Sequence, residues 1–520
     1  MITTLVAALA LAPRDVRGAA DEAFFVDATL DVGAELLSWE IVRGLPGGVV
    51  DLVLAMRSSG QRELRVHAVT PRTVEPIARH VVPILADVIA WADADVRADE
   101  GRELVFVTKR GAWSYSLTRE GYRDNVAPLV RSDSIYDMPD PGELPRWRYV
   151  LPGDDADRRD RLILPERDGF TLWGPGAADA GEYVARAHFP RAVPERERAG
   201  EADASRAEGD TQVGVRLQAG GTPFLFEGEA SGSLLFESHF YRSPALVDVD
   251  GDGQLDLVQR RGKGLSVHVH LAQEPTRTEE LPAYLVKEGS ELTLRLHDLD
   301  GDGDVDILAK LSASDGGLEN GDVRVLVLLN DGERLLPGAP AMVLKFEAAE
   351  LRAEVTDVDG DGRPDLVVRE FQMPSALDVV GGLEFTLTHL VYFATSDGFE
   401  RRPSVRRQST YDENAVQNAI ANYELVLDCD GDGIADLAAV DLAGRLTVRR
   451  VQKRSRFLRP ATWELEAAPW RSFETGGAID SLTVMDINGD GLGDLLSASR
   501  ERLTIHLSQR NARTTTRIDR

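Results

Sequence analysis

The stretch DVDGDGQLD, residues 248–256, sets four aspartates and two glycines into nine residues. Carboxylates this crowded repel one another and hold each other's protons unless a cation sits among them. The chemistry such spacing supports is the binding of a hard divalent ion. Calcium takes six to eight oxygens at roughly 2.3–2.6 Å, and a loop supplies them only by curling round the ion. Asp248, Asp250, Asp252 and Asp256 would offer side chains and Gln254 its backbone carbonyl. Glycines at the fourth and sixth places, Gly251 and Gly253, permit a curl that residues with a Cβ resist.

The pattern recurs as DLDGDGDVD at 298, DVDGDGRPD at 357, DCDGDGIAD at 428 and DINGDGLGD at 486. By place, the further candidate ligands are Asp298, Asp300, Asp302 and Asp306; Asp357, Asp359, Asp361 and Asp365; Asp428, Asp430, Asp432 and Asp436; and Asp486, Asn488, Asp490 and Asp494. The seventh residues, Asp304, Arg363, Ile434 and Leu492, would contribute backbone carbonyls as Gln254 does. The expected cofactor is Ca²⁺, about five ions per chain. An EF-hand needs a bidentate Glu at place twelve, and that place reads Gln259, Ala309, Val368, Ala439 and Ser497. A plain polar turn accounts for one such loop but not for five copies sharing both glycines and the ninth-place Asp.

A repeat of roughly 60 residues has room for about four strands and their connections. Around the first loop the pattern reads SPALVDV, loop, LDLVQRR, GLSVHVHLA and LPAYLVKEG; the next units repeat the plan. Residues 21–190 lack an intact acidic loop but keep the rhythm, with three further units such as LLSWEIV, VVDLVLAMR, ELRVHAV and ARHVVPI. Continuous apolar runs suit strands covered on both faces. The last unit shows only SLTVMDI, DLLSAS and RLTIHLS, whereas AFFVDATL near residue 24 has no earlier unit to join. Pairing the two would close a ring and remove its free edges.

The five loops and their following strands, spanning about residues 240–500, resemble the β-propellers of the FG-GAP and VCBS repeat families, which include the head of integrin α chains. The resemblance implies an all-β propeller of eight four-stranded blades, with seven as the alternative. It also implies calcium-binding loops between the first and second strands of the last five blades. Residues 1–20 then read as a candidate leader peptide and 21–520 as one propeller: metal-free blades over 21–190, an insertion over 191–235 and calcium-loop blades over 236–520.

The acidic balance, 87 Asp plus Glu against 59 Lys plus Arg for a net charge of -28, disfavours nucleic acid and anionic membrane as partners. No apolar run reaches the length of about 20 residues that spans a bilayer. The single cysteine, Cys429, excludes an intrachain disulfide and reads as an apolar substitution within the fourth loop. Two degenerate loops, DADVRADEG at 93 and GDDADRRDR at 153, are expected to bind no calcium, with arginines partly replacing the ion. In the first, Arg97 stands at the place of the third carboxylate.

Catalytic signatures are scarce: there is no Gly-x-Ser-x-Gly elbow, no His-Glu-x-x-His and no phosphate-cradling glycine loop. VHVH would place His268 and His270 on one strand face, either as a chelating pair or as a half-polar face. Trp39, Trp91, Trp113, Trp147 and Trp173 read foremost as packing between blades. The longest insertions begin near 132, 190, 312, 371 and 401, on connections that open opposite the acidic loops, and the last suggests a short helix in YDENAVQNAIANYEL. Long loops on a rigid scaffold carry recognition. The expected function is a secreted, periplasmic or cell-surface binding or adhesion module, a monomer taking a protein or glycan ligand on that face. Alternatives are a propeller-based polysaccharide lyase or hydrolase and a structural part of a surface assembly.

Overall fold

A computed structural model of the chain describes residues 24–31, 33–45, 50–98, 101–116, 126–132, 144–153, 157–166, 169–176, 182–190, 244–261, 264–286, 290–313, 320–374, 384–395, 398–411, 423–441, 444–456, 459–475, 479, 481–499 and 502–509. The apolar runs form strands buried on both faces. In Val50–Ser58 the residues from Leu52 to Met56 are all fully buried. Fourth strands behave differently: Met342–Ala348 and Val405–Tyr411 alternate between covered and exposed residues. Inner strands covered on both sides with half-covered outer strands is the burial of sheets stacked face to face around an axis.

Among the described residues eight antiparallel blade sheets result, with two two-stranded hairpins beside them. Blade 1 holds Glu35–Arg43, Val50–Ser58 and Gln61–Thr70, with its outer strand split into Thr73–Val74 and His80–Ile84. Blade 2 holds Val88–Ala94, Glu103–Thr108, Gly111–Tyr115 and Val126–Arg131; blade 3, Val150–Leu151, Arg161–Glu166, Gly169–Pro175 and Tyr183–Pro190. Blade 4 holds Ala245–Val247, Asp256–Arg261, Gly264–His268 and Arg277–Glu280; blade 5, Ser290–His297, Asp306–Ala313, Gly321–Leu328 and Met342–Ala348. Blade 6 holds Glu350–Thr356, Asp365–Gln372, Phe385–Tyr392 and Val405–Tyr411; blade 7, Tyr423–Leu427, Asp436–Val440, Leu446–Arg449 and Arg471–Phe473. Blade 8 takes Ser481–Met485, Asp494–Ala498 and Arg502–Gln509 from the end of the chain and Phe24–Asp31 from its beginning.

That last pairing closes the ring as expected, with Phe24 opposite Gln509 and Asp31 opposite Arg502. Apolar clusters fill every junction between neighbouring blades. Leu30, Trp39 and Leu54 join blades 8 and 1, Trp91 joins 1 and 2, Trp147 and Leu257 lie between 2, 3 and 4, and Cys429 with Val484 joins 7 and 8. Trp39, Trp91 and Trp147 are buried in these clusters and Trp173 packs against one of them, as expected for interblade packing. Within the described residues no helix is long and apolar enough to cross a membrane.

Three local expectations need correction. The fourth strand of blade 4 is Arg277–Glu280, and LPAYLVKEG instead carries a 3-10 turn at Ala283–Leu285. An outer strand needs an alternating, charged edge rather than an apolar run, and Pro282 cannot donate to a ladder. The third strand of blade 4 stops at His268, so His270 shares no strand face with it. Of the suggested helix, Tyr411 and residues 423–425 are strand, while 412–422 lie outside the described residues. The suggested leader and the 191–235 insertion also lie outside them.

The closing strand yields a direct test. Leu30 is buried in the cluster joining blades 8 and 1, whereas its neighbour Thr29 is exposed. Leu30→Ala is expected to cost about 2–4 kcal/mol in urea unfolding, and Thr29→Ala within about 0.5 kcal/mol.

Candidate metal centres

All five acidic loops join the first and second strands of blades 4 to 8, and each ninth-place aspartate is the first residue of a second strand. The second residue of each loop, Val249, Leu299, Val358, Cys429 or Ile487, is buried, which anchors the loop while its neighbours on either side face outward. Burial pushes the Cys429 thiol well up, so it acts here as a small apolar residue. The glycines at places four and six all adopt positive φ, +70° and +84° in the first loop and +75° and +86° in the third.

The first-place carboxylate holds each curl. In the third loop Asp357 Oδ1 accepts the Gly360 amide at 2.8 Å and Oδ2 the Gly362 amide at 2.9 Å. Asp428 accepts the Gly431 and Gly433 amides at 2.6 and 2.7 Å in the same manner. The fifth-place carboxylate accepts the amide two residues on, as Asp432 does from Ile434 at 3.0 Å. The ninth-place carboxylate ties three segments together. Asp256 Oδ2 takes the Val249 amide at 2.9 Å while Oδ1 takes the His270 amide, beyond the third strand, at 2.7 Å. Asp306 repeats this with Leu299 and Asn330, Asp365 with Val358 and Ala394, and Asp494 with Ile487 and Ser508.

The donors that remain suit a hard cation. Carboxylate oxygens of Asp248, Asp250 and Asp256 lie within 4.8 Å of one another, as do those of Asp298, Asp300 and Asp302, of Asp357, Asp359 and Asp361, and of Asp428, Asp430 and Asp436. An ion at roughly 2.3–2.6 Å from each oxygen fits between such atoms. Asp359 Oδ1 is buried without a hydrogen-bond donor, which leaves a full carboxylate lone pair aimed at no proton. In the second loop Asp304 adds a side chain beyond the expected backbone carbonyl, and burial beside Asp302 lifts it to about 7. In the fifth, Asn488 supplies an amide in place of the third-place carboxylate, with its Nδ2 toward Asp490 at 3.3 Å. Arg363, expected only through its carbonyl, also pairs its guanidinium with Asp361 at 2.7 Å.

Without an ion, burial dominates the ninth-place acids. It raises Asp436 to about 9, with Asp430 adding to the effect, Asp494 to about 7, and Asp306 and Asp365 to about 6. Asp256 moves in the same direction for the same reason.

The loops also touch one another round the ring. The eighth-place amide reaches back to the preceding blade: Val305 to the Val249 carbonyl at 3.4 Å, Ala435 to Val358 at 2.8 Å and Gly493 to Asp428 at 2.7 Å. Pro364 occupies that place in blade 6 and has no amide to give. The blades without acidic loops keep the link, with Arg102 reaching Gly44 at 3.2 Å and Asp160 reaching Asp95 at 2.6 Å.

These links correct the alignment of the degenerate loop in blade 2. Glu103 Oε2 accepts the Val96 amide at 3.0 Å, seven residues back, as every ninth-place Asp does. Glu103 therefore holds the ninth place, Asp95 the first and Arg97 the third, two residues from the register read by composition. Arg97 bonds the Ser114 hydroxyl at 2.7 Å, and Arg102 bridges Asp93 and Asp160 at 3.0 Å each. In blade 3 the residue that opens the second strand is Arg161, a cation where the acidic loops carry Asp.

Sequence reasoning missed two features of this face. A hairpin, Val451–Arg456 with Arg459–Leu465, is inserted between the third and fourth strands of blade 7. It lays Trp463 against Phe393 of blade 6, with ring centroids 4.7 Å apart, and its base brings Arg450 within 3.5 Å of Asp430. The alternation of QKRS and ATWEL was the available signal. The second is His270, which leaves the strand in a left-handed conformation and sets Nε2 2.5 Å from Asp252 Oδ2.

The two loop glycines separate backbone strain from crowding. A Cβ on Gly362 meets nothing within 4 Å, whereas one on Gly360 would sit 2.0 Å from the Gly433 carbonyl oxygen of the next loop. Gly362→Ala is expected to cost about 1–2 kcal/mol and Gly360→Ala clearly more, read by thermal unfolding in the same buffer.

Residues 294–368 and 428–497 match the family model of the FG-GAP-like repeat, each segment spanning two consecutive acidic loops. No curated protein matches the chain. Among solved structures, an Agrocybe aegerita lectin, described for its specific recognition of non-reducing terminal N-acetylglucosamine, aligns over 82% of this chain and 86% of its own. The identity is 14% and the TM-score 0.36. BBS1N, in a crystal structure with ARL6DN soaked with lead, aligns over 82% of this chain and 94% of its own at 10% identity and a TM-score of 0.29. Nothing about ligands is drawn from likeness at that level. The repeats and the ring agree: the chain is an eight-bladed β-propeller carrying FG-GAP-like repeats.

Proposed function

We propose that the chain is a calcium-stabilised binding module that works outside the cytoplasm, as a monomer, and takes a protein or glycan ligand on the face opposite the acidic loops. The observation that carries this reading is a division of labour between the two ends of the blades. The oxygen clusters lie at the connections from first to second strands. Connections at 133–143, 191–243, 314–319, 375–383 and 412–422 instead join second to third strands or one blade to the next, leaving from the other ends of the strands, while the acidic face carries the hairpin Val451–Arg456 with Arg459–Leu465 as a long connection of its own. A rigid ring carrying long loops on one face is the usual arrangement of a recognition surface. Loop sites of this kind work at calcium levels of about 0.1–1 mM, which supports a location outside the cytosol. Residues 1–20 as a leader and 191–235 as an insertion belong to the same proposal.

Thermal unfolding with 10 mM calcium and with excess EGTA, alongside a bound-metal count, tests the metal half. At those affinities each filled loop contributes about 1.4–2.7 kcal/mol, and about five ions per chain are expected. An unchanged melting curve with no bound calcium sinks the reading. Probing the calcium-loaded chain against glycan arrays and extracellular proteins tests the rest: saturable binding lost on shortening residues 375–383 supports it, and turnover of a bound polysaccharide replaces it with the enzyme alternative.

A pH dependence follows from the buried acids. In calcium-free protein Asp436 at about 9, Asp494 at about 7 and Asp306 and Asp365 at about 6 all lie above their unfolded value near 3.8. Their protonated forms therefore favour the fold, a contribution complete below about pH 4 and lost as pH rises through these values. Calcium-free protein is expected to melt lower at pH 8 than at pH 5. Calcium, which needs the ionised form, removes or reverses that trend in the same melting series.

A further inference from the structure

The loop of blade 4 differs from the other four in the side chain that stands over it. Counting from the ladder partners Leu257 with His268, Ile307 with Leu328, Leu366 with Tyr392, Leu437 with Arg449 and Leu495 with His506, the residue two further on is the same structural place in each blade. It is occupied by His270, Asn330, Ala394, Val451 and Ser508. Asn330 spends its amide nitrogen on the Val249 and Val305 carbonyls at 3.1 and 3.2 Å, and Ser508 donates to the Gly493 carbonyl at 2.6 Å. Ala394 and Val451 have nothing to offer. Among these five, His270 alone brings a side-chain nitrogen to a loop carboxylate.

The turn that aims it is particular to this blade. His270 and Leu271 take φ of 52° and 56°, left-handed values that neither glycine nor asparagine is present to ease. The backbone amide of His270 is held by Asp256, so the imidazole swings from a fixed base. A ring nitrogen of His270 and carboxylate oxygens of Asp250 and Asp252 lie within 4.8 Å of one another, all three residues being exposed, and Nε2 is the nitrogen that meets Asp252. Calcium selects oxygen donors, whereas one imidazole with two carboxylates suits zinc and its neighbours, at roughly 2.0–2.2 Å from each ligand atom. Placing such an ion asks exposed side chains to open the His270–Asp252 contact, 2.5 Å long here, by less than about 1 Å.

We propose that the blade 4 loop binds a divalent transition metal of the zinc class more tightly than calcium, with His270 Nε2, Asp250 and Asp252 as protein ligands and water completing the shell. The proposal rests on the reading of the acidic loops as cation sites, and it makes one of the five chemically distinct. The ring would then carry one site whose occupancy follows a trace metal while the rest follow calcium.

Cobalt(II) is the probe, because its visible absorption reports nitrogen and oxygen ligation. The full chain without a polyhistidine tag is titrated with cobalt in 5 mM calcium. The expected result is one cobalt per chain, released by zinc, with bound calcium falling by one. His270→Asn, which tolerates the left-handed backbone, should weaken cobalt binding at least about tenfold and leave the calcium-dependent melting of the other loops in place. Asp252→Asn should act likewise, and Ser508→Ala, which touches only the blade 8 loop, should leave cobalt binding unchanged. Cobalt uptake that survives His270→Asn, or that vanishes whenever calcium is present, overturns the proposal. A chain that takes one His270-dependent cobalt but no calcium anywhere would keep this inference and remove the calcium reading.

Discussion

A buried carboxylate at the root of a strand is the interaction on which this ring depends. Asp256, Asp306, Asp365, Asp436 and Asp494 are all but completely covered, and an ionised group in that position is tolerable only if its lone pairs are met. Backbone amides meet them, from the second residue of the loop on one oxygen and, in four of the blades, from beyond the third strand on the other. One side chain thus fixes the loop, the second strand and the exit of the third strand relative to one another. The loop's remaining carboxylates are then presented outward by a frame that no longer moves, which is the preorganisation a cation site requires.

The blades without acidic loops meet the same demand with covalently attached cations. Arg102 lies between Asp93 of its own blade and Asp160 of the next, Arg146 joins Asp93 to Glu40 of blade 1, and Arg148 also pairs with Glu40. A guanidinium satisfies two planar carboxylates but cannot gather six or more oxygens. Blades 1 to 3 are therefore stitched by fixed charge whatever the medium contains, whereas the loops of blades 4 to 8 leave their carboxylates facing the medium. Both halves share the amide that reaches back to the previous blade, at Arg102 and Asp160 as at Ala435 and Gly493.

Much of this was legible because repetition writes the same constraint several times. Five loops with glycine at places four and six announce positive φ at those places, and apolar second strands announce burial on both faces. The closing strand could be read from a unit one strand short at each end of the chain. Other features were hidden by their physics. The left-handed turn at His270 leaves no mark in an alternating stretch such as SVHVHLA, since nothing there is glycine or asparagine. The register of the blade 2 loop was misread because Glu103, one methylene longer than Asp, does the ninth-place work. The outer strand of blade 4 was misplaced because edge strands obey solvent, not hydropathy.

Closure by Phe24–Asp31 also sets an order of events. The partner strand, Arg502–Gln509, is made long after it, and the contact of Asp27 with His506 spans 479 positions of sequence. At synthesis rates of about 5–20 residues per second, the first strand waits roughly half a minute to a minute and a half for its partner. Through that interval both ends of the growing array are open sheet edges, the surfaces from which strand exchange between copies and aggregation begin. Completion of the ring is therefore one late, long-range step.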